Sequence, residues 1–67
     1  MLKFHLNGEP KEKNEGTTIV MLIEDLNLPP RSVIVEYNNE FLERELFGYT
    51  VLKEGDSVEI IRAIAGG

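Results

Sequence analysis

The sequence predicts an α+β fold, a roll in which one helix packs across one face of a mixed sheet of four to five strands. Three observations carry this. Leu2, Phe4 and Leu6 alternate with Lys3 and His5, the period-2 pattern of a half-buried strand. Ile19, Leu22, Ile23 and Leu26 recur at i, i+3, i+4 and i+7, one apolar stripe of a helix. Val33, Ile34, Val35 and Tyr37, and later Val58, Ile60 and Ile61, form β-branched or aromatic runs bounded by turn residues. At 67 residues the chain is read as one domain, 1–67, with 64–67 as a flexible C-terminal tail.

The elements follow in order. Asn7-Gly8 after the first strand is a hairpin signal, because both central positions of a type I′ turn need positive φ. Pro10 to Asn14 is the returning strand, and Lys11-Glu12-Lys13 makes it a charged edge. Thr17 or Thr18 caps the helix by accepting from its first free N–H groups. The helix stops near Asn27, ahead of Pro29-Pro30. Ser32 to Tyr37 reads as a buried strand, Asn38-Asn39 as a turn and Phe41-Leu42 as a short strand. One helical turn fits Glu43 to Tyr49, with Leu46 and Phe47 inward. Glu54-Gly55-Asp56 turns the chain into a last strand, Ser57 to Ala63, in which Val58 and Ile60 face the core and Ile61 faces away.

Composition excludes several functions. With no cysteine, the fold stands on packing alone and has neither thiolate ligands nor a thiol nucleophile. His5, the only histidine, lies on the outward period of its strand with no second ligand nearby, so neither a metal site nor a catalytic base is expected. Glu24-Asp25 and Glu43-Arg44-Glu45 read as solvated charge, since adjacent helical acids do not share a face. A chain this small leaves little room to enclose a ligand pocket of roughly 300 Å3. Twelve acidic against seven basic side chains disfavour nucleic acid as a partner, and no apolar run approaches a membrane span. No signal sequence is recognised, so the expected location is cytoplasmic. Residues 34–67 carry −4 of the net −5 charge, which suits a solubilising surface or an acidic face steering toward a basic partner.

The sequence closes on Ile64-Ala65-Gly66-Gly67. Glycine carries no Cβ to obstruct close approach, so a partner could draw this tail through a narrow channel to reach the last carboxylate. The plainer reading is a frayed terminus. Ile61, just before the tail, is either an ordinary exposed apolar residue or part of a recognition patch.

This tail, together with the Asn7-Gly8-Glu9-Pro10 turn, the Gly16-Thr17-Thr18 helix start and the Glu54-Gly55-Asp56 turn, resembles the ThiS sulfur carriers of thiamine biosynthesis. The resemblance extends over the whole chain in length and element order. It implies the ubiquitin-like β-grasp fold and a protein co-substrate, not an enzyme. Gly67 would be adenylated by a ThiF-like adenylyltransferase and then thiocarboxylated. Gly66 would supply clearance, with Ala65 and Ile64 as tail contacts and Ile61 as a further docking residue. Sulfur would come from a donor such as a cysteine desulfurase, and a ThiG-like thiazole synthase would consume it. Mg-ATP and any zinc would belong to the activating enzyme, leaving this chain without a bound cofactor and monomeric when free. The related MoaD proteins of molybdopterin synthesis share the fold and the Gly-Gly end, though Ile64-Ala65 and the short length favour ThiS. A MoaD-like carrier, a ubiquitin-like modifier joining Gly67 to lysines, and a binding module with an inert tail remain the alternatives.

Overall fold

The computed structural model describes residues 1–62. The strands are β1 (Leu2–Leu6), β2 (Glu9–Lys13), β3 (Val33–Tyr37), β4 (Glu40–Leu42) and β5 (Ser57–Arg62), and the helix is α1 (Ile19–Asp25). Single 3-10 turns occupy Pro30–Ser32 and Arg44–Leu46. The five strands form one mixed sheet in the order β2-β1-β5-β3-β4. The central pair, β1 and β5, runs parallel, and every other neighbour is antiparallel. The first and last strands thus lie side by side, and α1 links β2 on one side of them to β3 on the other.

Leu2, Phe4 and Leu6 from β1, Val33 and Val35 from β3, and Val58 and Ile60 from β5 all face α1. The helix returns Ile19, Leu22 and Ile23, each at most 1% exposed. Phe47 and Leu52, from the long connection into β5, close the remaining side. Burying an aliphatic or aromatic side chain this completely contributes about 1.5–3 kcal/mol.

Local chemistry sets the boundaries. Asn7 and Gly8 take φ of 51° and 83°, as the predicted type I′ hairpin demands. Of the two candidate caps it is Thr18 that accepts from Met21 N at 3.3 Å, while Thr17 Oγ1 donates to the Asn14 carbonyl. The helix ends before the prolines act on it. Asn27 sits at φ 60°, its N–H reaches Glu24 O, and Leu28 N reaches Ile23 O at 3.2 Å. This is a left-handed C-terminal motif with Asn in the position glycine usually fills.

Several expectations shift. Leu26 caps the helix C-terminus and is 41% exposed, because the helix ends one residue before the last position of its apolar stripe. Ile34 is exposed, since the helix covers only one face of β3. Phe47 packs inward as expected but Leu46 does not, because a 3-10 turn points neighbouring side chains apart. Leu52 joins the core unforeseen. An isolated bridge between Thr18 and Val51, with Leu52 N on Thr17 O at 2.8 Å, draws that segment against the helix start.

Candidate functional site

β5 carries the chain from the middle of the sheet toward the expected tail. Of the residues expected to act, Gly67, Gly66, Ala65 and Ile64 lie outside the described residues. Ile61 lies within them and fits its expectation: it is 49% exposed on the face turned away from α1.

Register shows what surrounds it. Ile61 is directly opposite Ile34, Glu59 opposite Glu36, and Glu36 opposite Phe41. Directly opposed residues share a face, so Ile34, Ile61 and Phe41 project from the outer face, with Glu36 and Glu59 beside them. Phe41 is 68% exposed. Sequence reasoning missed Ile34 and Phe41 as surface residues. Val33-Ile34-Val35 is apolar on both faces, and pairing with β5 is what distinguishes them.

Asn7 supports β5 on its other flank. Beyond the last β1–β5 pair, Leu6 with Val58, the Asn7 Oδ1 accepts from Ile60 N at 2.9 Å and its Nδ2 donates to Ile60 O at 3.4 Å. The side-chain amide thereby substitutes for a missing strand residue just before Ile61. At the start of β5, Asp56 is buried and accepts from Tyr37 Oη (2.6 Å), Lys53 N (2.7 Å) and Asn38 Nδ2 (3.2 Å). Burial, foremost, then this hydrogen bond and the Asp56 charge, push the Tyr37 phenol up to about 12. β5 is therefore fixed at its entrance by Asp56 and near its exit by Asn7.

A half-open depression of about 470 Å3 adjoins the outer face, between Ile34, Phe41 and the Glu43-Arg44-Glu45 turn. It is a surface groove, not an enclosed cavity. Among the described residues no cluster of three His, Cys, Asp or Glu could hold a metal ion, and no helix is long and apolar enough to cross a membrane. What the arrangement offers is a rigid platform: an apolar outer strip and an anchored strand leading to residues 63–67.

This sheet order with a single crossing helix defines a ubiquitin-like β-grasp domain, the fold shared by a crystal structure of a thiamine biosynthesis protein (ThiS) from Geobacter metallireducens. That structure superposes with a TM-score of 0.83 at 35% identity, covering 98% of this chain and 100% of the other. The match to the ThiS family spans residues 4–67, and the chain belongs to that family. It is also 41% identical over 66 residues to a thiazole synthase of Magnetococcus marinus, and 30% identical over 66 residues to one of Paramagnetospirillum magneticum. Both alignments cover 98% of this chain but 20% of the relative, so the chain spans about one fifth of the length of these proteins.

Proposed function

We propose that the chain is a sulfur carrier for thiazole formation in thiamine biosynthesis, acting as a protein co-substrate through the carboxylate of Gly67. The observation that carries this is the family match, which runs through Ile64-Ala65-Gly66-Gly67 to residue 67. A carboxylate with pKa near 3.5 is anionic at neutral pH and a poor electrophile. Attack of its oxygen on the α-phosphorus of ATP expels pyrophosphate and leaves an acyl adenylate. A sulfide nucleophile then forms the C–S bond at the Gly67 carbonyl as the C–O bond to AMP breaks. Two easier substitutions replace one hard one. The thiocarboxylate holds sulfur on the main-chain carbonyl, consistent with a chain that has no cysteine.

ATP and Mg2+ enter with a ThiF-like adenylyltransferase, and a donor such as a cysteine desulfurase supplies the sulfur. A ThiG-like thiazole synthase is the acceptor; its support is that two relatives carrying a segment like this chain are themselves thiazole synthases. The outer strip of Ile61, Ile34 and Phe41 would seat these partners while Gly66 and Ala65 follow the tail inward.

The test is the intact mass of the protein after incubation with ATP, a purified activating enzyme and sulfide. Replacement of one oxygen by one sulfur is expected, and deletion of Gly67 is expected to abolish it without altering the circular dichroism spectrum. An unchanged mass, with an activating enzyme that modifies another carrier, would overturn the reading.

A further inference from the structure

The three arginines of the sequence, Arg31, Arg44 and Arg62, gather at the end of the sheet where β5 leaves it. Arg44 Nη2 donates to the Arg31 carbonyl at 3.1 Å, tying the two 3-10 turns together. The β3–β5 register sets Arg62 opposite Val33, two residues beyond Arg31. All three are exposed. The lysines lie elsewhere: Lys3, Lys11 and Lys13 on β1 and β2, and Lys53 in the loop before β5.

Among the described residues neither Arg31 nor Arg62 forms an ion pair, although the chain holds 12 acidic side chains against 7 basic ones. Lys11 and Lys13, by contrast, pair with Glu9 and Asp25. Glu43 and Glu45 flank Arg44, so among the arginines the positive charge without adjacent acidic residues in sequence is that of Arg31 and Arg62. The residue type matters as well. A guanidinium presents a planar fork that matches a carboxylate bidentately, which an ammonium cannot do.

We propose that Arg31 and Arg62, with Arg44 bracing the Arg31 backbone, form a docking clamp for carboxylates at the mouth of the activating enzyme's tail channel. This rests on the carrier reading above. Strand alternation sends Ile61 and Arg62 to opposite sides of β5. A channel receiving the tail therefore meets an apolar contact on one wall and a cation on the other. The complementary charge belongs to the protein and not to the nucleotide phosphates. Five residues, 63–67, separate Arg62 from the Gly67 carboxyl; drawn out fully in the partner's channel, at about 3.3–3.6 Å each, a segment of that length would span roughly 17 Å.

The experiment is steady-state thiocarboxylation at varied carrier concentration, with ATP, sulfide and purified activating enzyme, read by intact mass. The Arg31→Glu/Arg62→Glu double variant is expected to raise KM for the carrier about tenfold with kcat nearly unchanged, and added salt should narrow the gap. Arg31→Lys/Arg62→Lys should recover only the part of the loss that charge alone supplies, leaving KM between the reversal variant and the wild type, and Lys11→Glu/Lys53→Glu should leave KM as in the wild type. Should the double reversal unfold the protein, Arg62→Gln carries the same test with an effect of about threefold. An unchanged KM in the folded arginine variants overturns the clamp. So does a fall in kcat at constant KM, which would put the arginines at the nucleotide. A wild-type carrier that takes up no sulfur is a different failure, because it removes the carrier reading itself.

Discussion

Three hydrogen bonds converge on the Asp56 carboxylate, from Tyr37 Oη, Asn38 Nδ2 and Lys53 N. The bonds from Tyr37 and Asn38 join the turn before β5 to the β3–β4 hairpin, and Asn38 Oδ1 adds a third link by accepting from Ser57 N at 2.9 Å. A hydrogen bond to a charged group contributes about 1.5–3 kcal/mol when buried, and less where one partner is half exposed. Tyr37→Phe is therefore expected to lower stability by about 1–2 kcal/mol in urea unfolding. The pH dependence has a definite sign. The Tyr37 phenol is raised from 10.0 to about 12 in the folded protein, so folding favours its neutral form. That contribution is complete below pH 10 and is lost as pH rises through about 12. Stability measured across this window should fall in the wild type, and the Tyr37→Phe variant should lack that part of the fall.

At the scale of elements, the outer face carries an unfavourable pair. Glu36 on β3 and Glu59 on β5 stand directly opposite one another. Like charges in that position destabilise a sheet, typically by a few tenths of a kcal/mol to about 1 kcal/mol. Glu59→Lys is expected to stabilise the fold by about 0.5 kcal/mol, more at low than at high ionic strength, as read from the denaturation midpoint. No gain at low salt would mean that solvent already screens the pair. The same face exposes Ile34, Ile61 and Phe41, so the sheet accepts both charge repulsion and apolar exposure on the side proposed to receive partners. The helix shows the opposite economy. Its seven residues would not hold together in isolation, and Thr18 at one end with Asn27 and Leu28 at the other satisfy backbone groups that packing leaves free.

The whole molecule has a small margin. A 67-residue domain is expected to have a folding stability of roughly 3–10 kcal/mol. Ile23 is fully buried between α1 and the sheet, and truncating such a side chain costs about 2–5 kcal/mol. Ile23→Ala should therefore leave a substantial unfolded fraction at physiological temperature, seen as a lowered thermal midpoint and loss of amide dispersion in NMR spectra. The described core draws only on residues 2–60. Removal of Gly66 and Gly67 should consequently leave the thermal midpoint unchanged while abolishing the proposed sulfur transfer.

Features that depend on near neighbours could be read directly from the amino-acid order. Alternation in Leu2-Lys3-Phe4-His5-Leu6, the positive-φ pair Asn7-Gly8 and the stripe Ile19, Leu22, Ile23 are local chemistry, and each became the element it predicts. The Ile64-Ala65-Gly66-Gly67 stretch pointed to the ThiS family from residue types alone, and the family match runs through it. The folded arrangement was needed to tell which of Val33, Ile34 and Val35 face outward, because all three suit a strand and pairing with β5 breaks the tie. It alone brought Leu52 into the core, exposed Leu26, and gathered Arg31, Arg44 and Arg62 at one end. These outcomes rest on contacts between residues far apart in the chain. A side chain carries its local conformational preference wherever it stands, but its neighbours across the sheet are set only when the strands align.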